Sequence, residues 1–145
     1  MGTIPKITRV QLKVTQNYKP ALLGIVSAEP DYKLCLAINK NLNISLRNTS
    51  PVVIPDETSE KSFSRFSDTR TSHGTLFDLI SNRSGKNILL KKFKNIDYIF
   101  QIQDPDNETN TEKISASLRS IDHVTAVLSL DPGSIKDKNL QYLIR

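Results

Sequence analysis

Residues 22–46, LLGIVSAEPDYKLCLAINKNLNISL, contain the pattern that decides the fold. The apolar run at their start, together with Ala21, is typical of a strand buried on both faces in the middle of a sheet. After Glu29-Pro30-Asp31 the apolar residues recur at steps of three and four, which predicts an amphipathic helix from Asp31 to about Asn41. The sequence therefore predicts a central strand followed directly by a helix.

Cys35, the only cysteine of the chain, lies on the apolar stripe of this helix. A thiol in such a setting is desolvated, so its pKa should be raised and the group should be chemically inert. We interpret Cys35 as a small core residue and not as a nucleophile. A single cysteine forms no internal disulfide, which favours a reducing compartment.

The flanking stretches predict further strands and loops. Residues 7–15, ITRVQLKVT, alternate with a period of two, and the short connection to ALLGIVS predicts that the two strands pair antiparallel. Residues 47–62 are polar and contain two prolines, which predicts a long polar loop. The stretches FSRFSDT and TLFDLISNRS predict a hairpin that turns at residues 71–74, and residues 88–95 predict one short helix.

The C-terminal half continues the mixture of strands and helices. IDYIFQIQ, residues 96–103, predicts a strand with its aromatic residues and Ile96 on one face. Thr109 and Glu112 have the spacing of a capping box, which predicts that a helix starts there. Residues 124–130 alternate as a last strand, with Val124, Ala126, Leu128 and Leu130 on one side, and a short helix from about residue 135 ends the chain.

Hairpins mixed with single helices indicate an α+β fold, with one mostly antiparallel sheet and helices packed on one face. The length of 145 residues suits a single domain, residues 1–145. The N-terminal residues show no secretion signal, and the longest apolar run is far short of the roughly 20 residues of a membrane span. We therefore expect a cytoplasmic protein without a membrane-bound part.

Motifs for catalysis, cofactors and metals lack essential parts. The sequence at Gly85-Lys86 is not a phosphate-binding loop, since the earlier glycine and the following Ser or Thr are missing. His73 and His123 are far apart, and no Cys or His pair has metal-ligand spacing. We expect no catalytic residue, no cofactor and no metal site. A cryptic enzyme that pairs Cys35 with a histidine stays open as an alternative, because the sequence does not show which side chains meet.

One charged segment is unusual. The net charge is +5, and no acidic residue occurs between Asp78 and Asp97. A cationic cluster of this kind can attract a phosphate backbone or an acidic protein, although the spacing of Phe93 predicts a core position for its ring. Arg65 and Arg70 would join the cluster if the hairpin folds alongside. The five cationic residues of the segment are Arg83, Lys86, Lys91, Lys92 and Lys94.

These observations favour a non-enzymatic module that binds another macromolecule. An unknown protein partner is the first expectation, and an RNA-binding protein that uses the basic segment is the alternative. The sequence does not fix the oligomeric state. Asp97, which precedes the aromatic strand, is expected to have a structural role, either capping a turn or pairing with a cation such as Lys33.

Several stretches together resemble the IPExxVD family, small proteins of Bacteroidetes bacteria. The resemblance runs from about Leu22 to Pro132 and is strongest at DYKLC and LISN. The Ile-Pro-Glu of the family motif is absent, and only Ile96-Asp97 matches the end of the motif. The family carries no established activity, so the resemblance implies lineage and compartment more than mechanism. The stretches are LLGIVSAEPDYKLCLAINKNLNISL, FSRFSDT, LFDLISNRS, KNIDYIFQIQ and VTAVLSLDP.

Overall fold

A computed structural model describes residues 20–55, 60–69, 74–104 and 109–143. These residues form a six-stranded antiparallel sheet, which confirms the predicted α+β class. The strands are β1 (Ala21–Ser27), β2 (Arg47–Ile54), β3 (Lys61–Asp68), β4 (Leu76–Ser81), β5 (Arg83–Ser84), β6 (Asn87–Ile88), β7 (Tyr98–Gln103) and β8 (Val124–Leu130). The sheet order is β2-β3-β4-β7-β1-β8, and β5 and β6 form a separate small hairpin.

Strand β1 has a neighbour on each side, as its apolar sequence predicts. Leu23 lies opposite Phe100 of β7 and opposite Ser129 of β8. Because both sides of β1 are occupied, the predicted pairing of β1 with residues 7–15 is wrong. Residues 7–15 themselves lie outside the described part of the chain. The predicted hairpin is confirmed by the antiparallel pairing of β3 with β4. Of its predicted turn at residues 71–74, residues 71–73 lie outside the described ranges.

Two helices, α1 (Asp31–Leu42) and α2 (Thr111–Arg119), cover one face of the sheet. The predicted first helix is confirmed, with Leu34, Cys35 and Ile38 as its buried stripe. Helix α2 is also confirmed, but its predicted capping box is wrong. The N-cap is Asn110, whose side chain accepts a hydrogen bond from the Lys113 N–H at 3.1 Å. An Asn at this position satisfies an otherwise unpaired helix donor without any help from Thr109.

The opposite face of the sheet is covered by irregular chain. Residues 89–96 and the C-terminal residues 135–143 pack there, with Leu89 and Leu90 fully buried. The predicted helix over 88–95 is wrong, because these residues form turns after β6. Ile96 belongs to this second core and not to the face of Tyr98. The predicted C-terminal helix is a short 3₁₀ helix, Lys138–Tyr142.

The predicted loop at residues 47–62 is also wrong over most of its length. Residues Arg47–Ile54 are strand β2, and β3 already begins at Lys61. Strand β2 is at the edge of the described sheet, where polar residues and Pro51 are tolerated because one side of an edge strand needs no ladder partner. Only Val52 and Ile54 are buried, so the composition of the strand resembles that of a loop.

The last predicted strand is confirmed as β8, but the predicted apolar face, with Leu128 among its residues, is not the buried one. Val127 is buried on the helix side, whereas Leu128 is 48% exposed. The register shifts between Val26 and Ser27, opposite the start of β8, so a strict alternation does not hold along the whole strand. No helix in the described ranges is long and apolar enough to cross a membrane.

Candidate functional site

The thiol of Cys35 is closed off from solvent. The residue is 4% exposed, and its Sγ lies 3.5 Å from the carbonyl oxygen of Leu46. Burial raises the pKa of Cys35 to about 11, and the negative charge of Asp31 adds to this increase, while a hydrogen bond from Asn39 opposes it. The prediction of a buried cysteine is confirmed. A thiol that stays protonated near neutral pH is a poor nucleophile.

Of the two histidines considered as partners of Cys35, only His123 lies in the described residues. His123 is exposed, and its Nδ1 lies 4.0 Å from Glu29 Oε1. His73 lies outside the described ranges. Within those ranges, no group of three His, Cys, Asp or Glu side chains is placed to hold a metal ion.

An open groove of about 640 Å³ lies between α1 and the turn that follows α2. Lys33, Lys40 and His123 line it together with the acidic residues Glu29 and Asp122. The groove therefore presents both signs of charge without a concentration of either. It offers no clear preference for one class of charged ligand.

The basic segment is held in place by the side chain of Asn82, which has no exposed surface. Its Nδ2 donates to the carbonyl oxygens of Phe93 at 3.0 Å and Ile96 at 2.9 Å. Its Oδ1 accepts from the Leu90 N–H at 2.8 Å. One amide side chain thus replaces the backbone hydrogen bonds that a helix would have supplied, which explains why residues 89–96 are ordered turns.

The guanidinium of Arg83 is used in hydrogen bonds within the protein. Its Nε donates to Asp97 Oδ1 at 2.9 Å, and its Nη2 donates to the carbonyl oxygen of Lys94. The other carboxylate oxygen of Asp97 accepts from the Ser27 N–H at 2.8 Å. The predicted structural role of Asp97 is confirmed, but its cation is Arg83 and not Lys33, which lines the groove beside α1.

The C-terminal residues fasten to the same segment. The Lys91 N–H donates to Asp137 Oδ2 at 2.9 Å, and Asn139 Nδ2 donates to the Leu89 carbonyl oxygen at 2.9 Å. These contacts bring the exposed Lys136 and Lys138, which flank Asp137, to the side of the basic segment. Sequence reasoning missed both lysines, because only the folded chain places them near Lys91.

The exposed lysines of residues 91–94 and 136–138 therefore belong to two joined segments that pack on the face opposite the helices. Two acidic side chains in or close to these segments along the chain already have partners, since Asp97 binds Arg83 and Asp137 accepts from the backbone N–H groups of Lys91 and Asn139. The Nε of Arg65 donates to the Ser50 carbonyl oxygen at 3.1 Å, and Arg70 is outside the described ranges. The predicted Lys86 lies in the turn between β5 and β6, and no described contact joins it to these segments. We call the following set the lysine surface: Lys91, Lys92, Lys94, Lys136 and Lys138.

The lysine surface has no exposed aromatic side chain from its own segment. Phe93 is partly buried and packs against the second core, as its spacing predicted. Comparisons of the chain with protein-family models, with curated proteins and with solved structures find no match. The chemistry of the lysine surface is therefore the strongest basis for inferring a function.

Proposed function

We propose that this protein is a non-enzymatic interaction module that binds an acidic protein segment through the lysine surface. The observation that supports the proposal is the joining of two cationic segments by hydrogen bonds, Lys91 to Asp137 and Asn139 to Leu89. Because the backbone beneath the lysines is fixed in advance, binding needs to order only the lysine side chains and the partner.

The chemistry of the surface favours carboxylates over single-stranded RNA. Proteins that bind single-stranded nucleic acid combine a basic groove with aromatic rings on which bases stack. Here Phe93 is used in the core, and Arg83, the one arginine of the segment, is paired with Asp97. Lysine ammonium groups act as mobile point charges, which suits an acidic segment without a fixed shape.

RNA stays the alternative, because lysines also neutralise phosphates. A cryptic enzyme is the least supported reading, since the thiol of Cys35 is buried and protonated near neutral pH. We place the protein in the cytoplasm, and the support for this is that its single cysteine can form no internal disulfide.

We also propose kinship with the IPExxVD family. The support is the set of sequence stretches that resemble the family, including Ile96-Asp97 at the end of its motif. Asp97 contacts the N–H of Ser27 and the guanidinium of Arg83, so it connects the end of β1 with the start of β7 and the β5–β6 hairpin. A residue with these contacts supports the fold and needs no part in a reaction.

Charge reversal tests the proposed binding. The triple variant Lys91→Glu/Lys92→Glu/Lys94→Glu keeps the backbone contacts of the segment and removes three cations from the lysine surface. Its matched control reverses three exposed lysines on the helix side, Lys33→Glu/Lys40→Glu/Lys113→Glu. Fluorescence anisotropy with a labelled polyglutamate peptide, at a series of salt concentrations, measures the affinity of each variant.

We expect the first triple variant to lose at least about tenfold in affinity for polyglutamate, since a few charge pairs of ~0.5 kcal/mol each suffice for that change. The control carries the same net charge as the first variant but keeps the lysine surface, so it should lose much less affinity. Equal losses in the two variants, or no binding of the wild type at low salt, would refute the proposal. Tighter binding of single-stranded RNA than of polyglutamate of equal charge would replace it with the RNA alternative.

A further inference from the structure

The two edges of the described sheet differ in how they are protected against pairing. Strand β2 carries a charge at Arg47, a proline at position 51 and a register shift between Thr49 and Val52, all devices that discourage the addition of another strand. Strand β8 pairs with β1 in regular register from Ala126 to Leu130, and this stretch, AVLSL, contains no charge and no proline. Its irregularity is confined to its first residues. Strand β8 is thus the edge suited to accept a partner.

Helix α2 has a row of polar and charged residues beside strand β8. Glu112, Ser115 and Arg119 line a groove of about 420 Å³ together with Val127 and Ser129 of β8. Glu112 and Arg119 are exposed at opposite ends of the helix, and Ser115 between them is small. Arg119 donates to Ser115 Oγ at 2.9 Å, a contact within the same helix that leaves the guanidinium other donors.

We propose that β8 pairs with β8 of a second copy of this chain, antiparallel and about a two-fold axis at Leu128. Strand pairing of this kind joins residues whose positions are both even or both odd, because alternate backbone groups face the same side. With the axis at Leu128, each Ala126 lies opposite Leu130 of the partner subunit, and Leu128 lies opposite its own copy. The exposed leucine gains an apolar partner, and the two sheets become one continuous sheet of twelve strands in the described residues.

Charge complementarity supports a second copy as the occupant. Helix α2 runs antiparallel to β8, because residues 120–123 connect the two directly. In the two-fold arrangement the α2 helices lie side by side and antiparallel, so the acidic end of each faces the basic end of the other. Glu112 then approaches Arg119 of the partner subunit twice, once on each side of the axis, and Ser115 near the axis leaves room for close approach. The surface is therefore self-complementary, as a two-fold interface requires.

Charge at position 128 tests this arrangement, because only that residue meets its own copy. Leu128→Lys and Leu128→Glu each place like charges across the axis, and an equimolar mixture of the two variants places opposite charges there. Leu36→Lys is the matched control, since Leu36 is 65% exposed and belongs to α1 and not to the edge strand β8. Sedimentation equilibrium of the full chain over a range of concentrations gives the masses, and circular dichroism confirms folding.

The wild type should approach twice the chain mass of 16.3 kDa as its concentration rises. Each charged variant should raise the dimer dissociation constant roughly hundredfold through like-charge repulsion and lost leucine contact, and the mixture should recover most of that loss. The Leu36→Lys control should match the wild type. Without any substitution, hydrogen exchange of the amides in 126–130 should slow as the concentration rises. A wild type that stays monomeric, an effect of Leu36→Lys equal to that of Leu128→Lys, or a mixture without recovery would overturn the proposal.

Discussion

The substitution Asn82→Ala should destabilise the protein, because the side chain of Asn82 holds the backbone beneath the lysine surface in place. Asn82 is fully buried and makes three hydrogen bonds to the backbone of residues 90, 93 and 96. Its own backbone contacts, to the carbonyl oxygen of Asp97 and from the N–H of Leu89, do not depend on the side chain. The substitution therefore removes one defined group of interactions.

The magnitude follows from those three bonds. Each contributes roughly 1 kcal/mol net, so about 3 kcal/mol is lost with them. The buried Leu90 N–H is left without its acceptor, which costs about 1 kcal/mol more unless water enters. We expect a decrease of about 3–4 kcal/mol in the free energy of unfolding, a large part of the ~5–15 kcal/mol that holds a typical domain together.

Urea denaturation followed by circular dichroism measures the change, and Asn82→Asp separates hydrogen bonding from volume. The aspartate has nearly the same shape but cannot donate to the carbonyl oxygens of Phe93 and Ile96, so it should be at least as destabilising as alanine. The matched control is Asn41→Ala, whose exposed amide makes only a 3.4 Å contact to Ser120 Oγ and should cost less than about 0.5 kcal/mol. A loss below about 1 kcal/mol for Asn82→Ala would contradict the role assigned to this side chain.

Two further predictions concern Cys35 and Asp97. The free energy of unfolding should fall as the pH rises from about 9 towards 11, because the unfolded chain releases its thiol proton near the ordinary pKa of 9.0 while folded Cys35 holds its proton until about 11. Urea titrations at pH 8 and 10.5 should show a smaller decline in this free energy for Cys35→Ala than for the wild type. An equal decline in the two proteins would contradict the burial of the thiol. Asp97→Ala should cost about 2 kcal/mol in the same assay, since it removes the acceptor of the Ser27 N–H and the partner of Arg83, whereas Lys33→Ala should cost less than about 0.5 kcal/mol. Equal effects of these two substitutions would show that the carboxylate does not fasten β1 to β7.

The elements that were predicted from the sequence are those whose pattern is complete within a few residues. Strand β1 and helix α1 follow one another with an apolar run and then a helical stripe, and both burial patterns agree with them. Strand β2 was missed because an edge strand carries the same polar residues and proline as a loop. Residues 47–54 form a strand because their backbone pairs antiparallel with β3, and the local sequence does not show this pairing.

The candidate site likewise combines features that the local sequence shows with features that depend on distant contacts. The run of cations without acids between Asp78 and Asp97 can be read directly from the sequence, since a charge run is a local property. Arg83 is paired with the carboxylate of Asp97, which is 14 residues away in the chain. Lys136 and Lys138 lie near Lys91 because the Lys91 N–H donates to Asp137, 46 positions later. Periodicity also gave a helix over 88–95, where the buried side chain of Asn82 instead fixes a series of turns. Such contacts appear only when the chain is folded.

The two proposed surfaces have a consequence when they are taken together. Pairing of β8 with its own copy keeps the faces of the sheet aligned, so the helices of both copies lie on one side and both lysine surfaces lie on the other. In the proposed dimer, an acidic segment long enough to reach from one lysine surface to the next would bind the second one at a high effective concentration. Short ligands gain nothing from this arrangement. The dimer would thus select for extended acidic partners without any contact beyond those that a single chain provides.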